Sequence, residues 1–299
     1  MNYGRIVEDS FKFAWRYKSL WVFGLLAGSG GGNFNLDFGQ DDMEAMNGMG
    51  EIGSMPQEIF QEYWHLILPM LGAIIVMCLL YFVLHLICSP ALIDAINKIA
   101  RGGTYKFSES YSRGIDFFMR ELGLTLIFIA AILGVCLVGI LPIAAFQLFG
   151  ILLMLPIVVA GFFFAITLFS LAERALVVRD TSIGNALEES FVLMKQNFSK
   201  CLIMALIFIG IAIGLGIVAL MVTGMLFFPI SLLVQSISES KIVIFVLALV
   251  LGLPISLVVG GFTGTFFHSL YTLFYFGLVD PSSPYAKPSS SLPAAPTLQ

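Results

Sequence analysis

Residues 122 to 172 read LGLTLIFIAAILGVCLVGILPIAAFQLFGILLMLPIVVAGFFFAITLFSLA, a run of 51 residues without an Asp, Glu, Lys or Arg. The hydrocarbon core of a bilayer is about 30 Å thick and needs roughly 20 apolar residues per helix, so this run is long enough for two crossings. Pro142 and Gly150 lie near its middle and divide it into two spans. A water-soluble domain does not need such a run, and the chain is therefore expected to be an integral membrane protein.

Three further windows without charged residues, 63–93, 201–238 and 242–279, extend this pattern along the chain. The 299 residues are 59% hydrophobic and 11% charged, whereas a soluble domain carries about 25% charged residues. The sequence predicts an all-α, polytopic membrane helical bundle with about six transmembrane helices in one domain, 1–279. Their predicted spans are near 16–33, 64–92, 121–145, 148–173, 199–228 and 241–278.

The distribution of charge predicts the orientation of the bundle. Of the 15 basic residues, 14 lie on alternate connections, in 1–18, 94–121 and 173–200 and at Lys287. The loop 34–63 carries seven acidic residues and no basic one. Because cytoplasmic loops are enriched in Lys and Arg, we expect both termini in the cytoplasm and the acidic loop outside, in the inner or plasma membrane of a bacterial cell.

The first predicted span, 16–33, has an alternative. Only Leu20 to Ala27 is strongly apolar there, and the uncharged window from Ser19 to Leu36 is 18 residues long. A re-entrant or interfacial helix would also explain these residues. It would break the alternation of charge unless the N-terminus also changed sides.

Three amphipathic segments, 3–18, 107–122 and 183–198, align with one another and predict an internal repeat. Apolar residues recur in each at steps of three and four, which places them on one face of a helix. The stripes are Tyr3, Val7, Phe11 and Ala14; Phe107, Tyr111, Ile115, Phe118 and Leu122; and Ile183, Leu187, Phe191, Met194 and Phe198. Each unit would be a cytoplasmic elbow helix followed by a transmembrane hairpin. Asp180 and Thr181 are candidate N-caps for the third elbow. The elbows would either form a collar on anionic lipid or on a protein partner, or pack the end of the bundle.

Small residues recur every four positions on two helices. Gly24, Gly28 and Gly32 form one ridge, and Ser256, Gly260 and Gly264 form the other. Such ridges let helix backbones approach closely, either within one chain or between chains.

His85 and His268 are the ionisable residues of interest inside the apolar windows. They could form a metal or proton-relay pair, hydrogen-bond between helices, or lie at the membrane interface. Thr263, Thr265, Ser269 and Thr272 surround His268 on a polar side of the last helix. This side is the expected place for a substrate cavity, unless the hydroxyls bond to helix carbonyls.

No catalytic or cofactor-binding pattern is present. The chain lacks G-x-S-x-G, H-E-x-x-H and P-loop motifs. Its four Cys are far apart, so neither a metal site nor a disulfide framework is expected. No Lys/Arg cluster indicates nucleic acid. We expect no enzyme activity, no cofactor and no metal, with membrane lipids and a membrane or cytoplasmic protein as partners. Residues 280–299 hold five Pro and five Ser and are predicted to form a disordered cytoplasmic tail.

The segment E-S-F-x-L-M-K-x-N at Glu189 to Asn197, after V-V-R-D at Val177 to Asp180, carries a resemblance to known proteins. Together with the three-fold plan, it resembles poorly characterised prokaryotic six-span proteins that include the membrane domain of glycerophosphoryl diester phosphodiesterases. The likeness implies a membrane module without their catalytic domain. We therefore expect a non-enzymatic membrane or envelope scaffold or accessory component. The alternative is a transporter or channel for a small or amphiphilic solute.

Overall fold

The fold is all-helical in the part of the chain that the structure describes. The computed structural model describes residues 1–28, 57–237 and 241–286. Its helices are α1 (Tyr3–Arg16), α2 (Leu20–Ala27), α3 (Gln57–Ala100), α4 (Phe107–Arg179), α5 (Ile183–Gln196), α6 (Phe198–Ile237) and α7 (Lys241–Val279). The predicted all-α fold is confirmed.

Five helical segments among the described residues are long and apolar enough to cross a bilayer. They are Leu71–Ala100 in α3, Phe107–Leu137 and Pro156–Arg179 in α4, Phe198–Val222 in α6 and Pro254–Val279 in α7. A multi-pass membrane protein is therefore supported. The count of six spans stays a prediction.

Helix α4 contains two antiparallel halves. The rings of Phe128 and Phe169 stack with their centroids 4.4 Å apart, and a Cβ added to Gly161 would lie 3.1 Å from Cγ1 of Val135. Residues so distant in sequence can meet only if the chain reverses direction between Val135 and Gly161. This reversal forms the hairpin expected from the run 122–172.

Helix α7 lies at the centre of the bundle. In its most apolar window 61% of the residues are buried, against 11–28% in the other four spans. It packs against α6, where the ring of Phe208 lies 4.3 Å from that of Phe267, and it also contacts α1, α2, α3 and α4.

The elbow helices α1 and α5 each bury three side chains. The buried side chains are Ile6, Ser10 and Ala14 in α1 and Ala186, Ser190 and Met194 in α5. Ser10 and Ser190 each donate a hydrogen bond of 2.6 Å to the carbonyl four residues earlier. These positions coincide in the predicted repeat, and its second copy buries Ser110 and Gly114. The repeat itself stays a prediction.

One apolar position of the elbow stripes is exposed in all three copies. Phe11, Ile115 and Phe191, which occupy one position of the repeat alignment, are 50%, 50% and 47% exposed. The elbows bury Ile6, Ala14 and Met194 in the bundle. At the exposed position, Phe11 and Phe191 still contact Phe262 and Phe164. We call the end of the molecule that carries α1, α5 and the first turns of α4 the elbow end.

The predicted caps of the third elbow are wrong. Ser182 caps α5, since its Oγ accepts from the backbone N–H of Asn185 at 3.4 Å. Asp180 instead ends α4 in the left-handed region, with φ of 52°. Its carboxylate accepts from Arg120 at 2.6 Å and lies 3.6 Å from Arg113, which joins the two ends of α4.

The first predicted span, 16–33, is only partly described by the structure and stays a prediction. Helix α2 covers only Leu20–Ala27 and ends at Gly28, whose φ is +47°. Eight residues rise about 12 Å, less than half of the hydrocarbon core. Residues 29–33, and Gly32 with them, lie outside the described residues, as does most of the acidic loop 34–63.

The predicted disordered tail does not begin at residue 280. Residues 280–286 form turns, and Tyr285 is only 6% exposed. Its carbonyl accepts from the N–H of Asn2 at 3.0 Å, and Gly277 packs beside its Cβ. The Pro and Ser content of the segment did not predict this contact, because the burial of a single tyrosine is enough to hold a short turn in place. Residues 287–299 lie outside the described residues.

Candidate functional site

Charged side chains are buried where the hairpins meet, towards the elbow end. Glu121, Glu173 and Arg174 of α4 and His268 of α7 are 1%, 3%, 3% and 4% exposed. Their burial is unusual because ionised groups lose their hydration inside a bundle unless other groups pair with them. We call these four residues the buried charge cluster.

Arg174 is the centre of this cluster. Its Nη1 donates to Oε2 of Glu173 at 2.5 Å and to the carbonyl of Ser170 at 2.9 Å. Its Nη2 lies 3.3 Å from Nδ1 of His268. The guanidinium also lies over the ring of Tyr271, 5.5 Å from the centroid. Arg174 thereby connects α4 to α7 through two side chains.

Glu173 connects α4 to α3. Its Oε1 accepts a hydrogen bond from the hydroxyl of Ser89. His85, one turn earlier on α3, interacts electrostatically with both Glu173 and His268. The two histidines of the sequence analysis therefore lie in the neighbourhood of the same carboxylate.

Glu121 is the least satisfied member of the cluster. It interacts electrostatically with Glu173 and Arg174, yet its Oε2 is buried without a hydrogen-bond partner among the described residues. The same holds for Oγ1 of Thr125, Nε of Arg174 and Oγ of Ser269. Two carboxylates thus share one guanidinium. Such a group can hold a proton or exchange it, or can serve as a fixed link between helices.

Further polar contacts join the hairpins nearer the elbow end. Asp94 of α3 accepts from Ser110 of α4 at 2.9 Å and pairs with Lys98 at 2.7 Å. Glu189 of α5 accepts from Tyr275 of α7 at 3.0 Å. These contacts show the same use of polar side chains to connect successive hairpins.

The small-residue ridges meet inside one chain. A Cβ added to Gly264 would clash with the carbonyl of Gly24, and one added to Gly24 would lie 2.5 Å from the carbonyl oxygen of Gly261. The hydroxyl of Thr265 donates to the carbonyl of Leu20 at 3.0 Å. The α2 and α7 backbones are therefore in direct contact.

The other two ridge glycines that the structure describes, Gly28 and Gly260, approach side chains and not a backbone. A Cβ on Gly28 would lie 2.6 Å from the Tyr81 hydroxyl, and one on Gly260 would lie 3.2 Å from Leu25. Ser256 lies on an exposed position of α7.

Two of the three buried hydroxyls near His268 bond to helix carbonyls. Thr265, Ser269 and Thr272 are fully buried. Thr265 bonds to the carbonyl of Gly261 at 2.8 Å and Thr272 to that of His268 at 2.7 Å. This is the alternative that the sequence analysis set against a substrate cavity.

Sequence analysis missed Glu121, Glu173 and Arg174. They flank the uncharged run 122–172, so they were counted with the polar connections. A signal was available, because a run that folds into a hairpin brings its two ends side by side. Residues 121 and 173 then face each other at one level. In 1–28, 57–237 and 241–286, no three His, Cys, Asp or Glu side chains are arranged to hold a metal ion.

The spans, elbows and buried charge cluster define a polytopic helical membrane protein. The chain belongs to a family of unknown function, DUF7544, whose model matches residues 12–284. No curated protein and no solved structure matches the chain.

Proposed function

We propose that the protein is a non-enzymatic scaffold or accessory component of the inner or plasma membrane, with its elbow end in the cytoplasm. The observation that carries this proposal is the way the hairpins are fastened together. Arg174 with His268, Ser89 with Glu173, and Gly24 with Gly264 each join different helices through buried contacts. A bundle held in this way is suited to present fixed surfaces to lipids and proteins.

The elbow end supplies such a surface. Phe11, Ile115 and Phe191 are exposed there, and exposed cations such as Arg113 and Lys195 lie on the same helices. A helix with an apolar face and Lys or Arg beside it lies in the interface of an anionic leaflet. This arrangement supports the cytoplasmic orientation that the charge pattern predicts.

The resemblance of Glu189 to Asn197 to a membrane domain of glycerophosphoryl diester phosphodiesterases supports the same proposal. Such a domain would act as a membrane module beside a catalytic domain. No catalytic role is proposed for any residue of this chain.

Site-specific cross-linking in cells tests the scaffold. A photo-reactive residue at Glu188, exposed on α5, is expected to give a discrete adduct with one protein partner. The same residue at Ile213, exposed on the apolar part of α6, is the control and is expected to give lipid adducts only. Identical adducts from both positions, or no protein adduct at any elbow position, would overturn the proposal.

A proton-coupled transporter is the second candidate, and the buried charge cluster favours it. Carriers that move ions keep ionisable residues at membrane depth, because these residues bind and release the ion. Uptake into proteoliposomes, driven by a pH gradient, would support transport if Glu121→Gln abolished it and Glu109→Gln did not. Absence of uptake across amino acids, sugars and amphiphilic cations would favour the scaffold. Gly264→Leu is unsuitable for this test because Gly264 touches the backbone of α2.

A further inference from the structure

An apolar groove lies between the first elbow and the last hairpin. Its volume is about 420 Å³. It is lined by Val7, Phe11, Ile211, Leu215, Phe262 and Phe266, with Glu8 and Lys12 at one edge. The groove thus has an apolar floor on α6 and α7 and a charged rim on α1.

Aromatic rings build one wall of the groove. Phe262 packs edge-on against Phe11 at 5.7 Å, Trp15 at 6.2 Å and Trp21 at 6.0 Å between centroids. The indole N–H of Trp21 donates to the carbonyl of Ala14 at 2.6 Å. These contacts hold α1 against α2 and α7 and leave the groove open between α1, α6 and α7.

The rim of the groove on α1 carries both charges. Lys12 pairs with Glu8 at 2.6 Å and lies 3.9 Å from Asp9; its contact with Glu8 is exposed, contributes little binding energy and leaves the ammonium accessible. Arg16, one turn further, is exposed and forms no ion pair with a described carboxylate. An anion placed beside α1 would meet both cations.

We propose that this groove binds an anionic phospholipid, with one acyl chain on its apolar floor and the phosphate beside Lys12 and Arg16. The lining that α6 and α7 supply is apolar, as an acyl chain requires, and the two cations on α1 are complementary in charge to a phosphate. The inference goes beyond the proposed function, because it requires a bilayer around the protein but no scaffold role.

Quenching by brominated lipid tests the proposal directly. The chain has three Trp, and Trp64→Phe leaves Trp15 and Trp21, which both contact Phe262 in the lining of the groove. The purified protein in detergent is titrated with dibrominated phosphatidylglycerol and, separately, with dibrominated phosphatidylcholine. We expect half-quenching at an about fivefold or greater lower concentration for the anionic lipid, since each cation near an anionic lipid contributes about that factor.

Two pairs of variants separate the groove from general detergent exchange. Ile211→Phe with Leu215→Phe fills the floor and is expected to weaken quenching by phosphatidylglycerol at least fivefold. Ile213→Phe with Ile217→Phe makes the same change on exposed positions of α6 outside the groove and is expected to stay within twofold of the parent.

A third comparison tests the role of the cations with substitutions of exposed side chains. Lys12→Gln with Arg16→Gln is expected to remove the preference for phosphatidylglycerol, while Lys195→Gln with Lys200→Gln on the third elbow unit retains it. Equal quenching by both lipids in the parent, or equal effects of the groove and control pairs, would overturn the proposal.

Discussion

At the scale of single residues, Arg174 is the one charged side chain on which the buried charge cluster depends. It is the only guanidinium that the described contacts place beside Glu121 and Glu173. Without it, two carboxylates would share a site of low dielectric constant. Breaking a buried pair by removing one partner costs about 3 to 5 kcal/mol, because an uncompensated charge remains.

Arg174→Ala is therefore expected to lower the free energy of unfolding by about 3 to 5 kcal/mol, measured in detergent by thermal or SDS unfolding. Arg179→Ala is the matched control, since Arg179 is 44% exposed and pairs with Glu189 at 3.1 Å, and should cost no more than about 1 kcal/mol. Glu173→Gln combined with Arg174→Met should recover much of the loss. Equal effects of the two arginine variants would contradict this account.

Single-residue chemistry was only partly readable from the sequence. His85 and His268 could be selected because they interrupt apolar runs. Composition could not select Glu121 and Glu173, because each adjoins a polar connection; only the hairpin geometry places them at one level. Their burial depends on how the hairpin of α4 packs on α3 and α7, which is a property of tertiary structure.

At the scale of helices, the contact between α2 and α7 is set by two glycines. Gly24 and Gly264 allow the backbones to touch, which no other residue would permit. The spacing of the glycines in the sequence predicted a contact surface, but it left open whether the partner lay in the same chain. The structure places the partner in the same chain, because α2 lies between α3 and α7.

Gly264→Ala is expected to destabilise the protein by about 1 to 3 kcal/mol, because the new Cβ meets the carbonyl of Gly24. Gly214→Ala on α6 is the control, since a Cβ there would meet nothing within 4 Å. Alanine is better than glycine inside a helix by up to about 1 kcal/mol, so this variant should be slightly stabilised. Unfolding in detergent measures both, and shifts of the same sign would contradict the predicted packing.

The docking of the C-terminal turn on the N-terminus should depend on pH. Burial, followed by the charge of Asp9, raises the pKa of Tyr285 to about 12 from its ordinary value of 10.0. Because the folded state holds this proton more tightly than the unfolded state, the associated stability is complete below pH 10. It is lost as pH rises through about 12.

We therefore expect the parent to lose roughly 1 kcal/mol more than Tyr285→Phe when unfolding at pH 11 is compared with unfolding at pH 8. Phenylalanine keeps the packing against Gly277 but has no proton to lose. Tyr111→Phe, on an exposed position of α4, serves as the control and should behave like the parent. An identical pH dependence in the parent and in Tyr285→Phe would rule out this role for the tyrosine.

At the scale of the whole molecule, hydropathy predicted the all-helical fold and the membrane class but not how the first unit is built. Helix α2 is short because Gly28 ends it in a left-handed conformation. Hydropathy averaged over a window of residues does not detect a helix end of this kind. The crossing that the charge pattern predicts between Lys18 and Asp37 stays a prediction, because residues 29–37 lie outside the described residues. The orientation of the molecule has to be tested by chemistry.

Labelling with a membrane-impermeant maleimide tests that orientation. In a variant with all four native Cys replaced by Ala, single cysteines at Ala45, in the acidic loop, and at Asn185, exposed on α5, are the probes. We expect intact cells to label position 45, and position 185 only after the membrane is permeabilised, because Lys and Arg gather at the elbow end. Ser112→Cys, exposed near the start of α4, should follow position 185. Labelling of 112 and 185 but not 45 in intact cells would mean that the elbow end faces outward, and the anionic leaflet proposed to hold it would then be the wrong one.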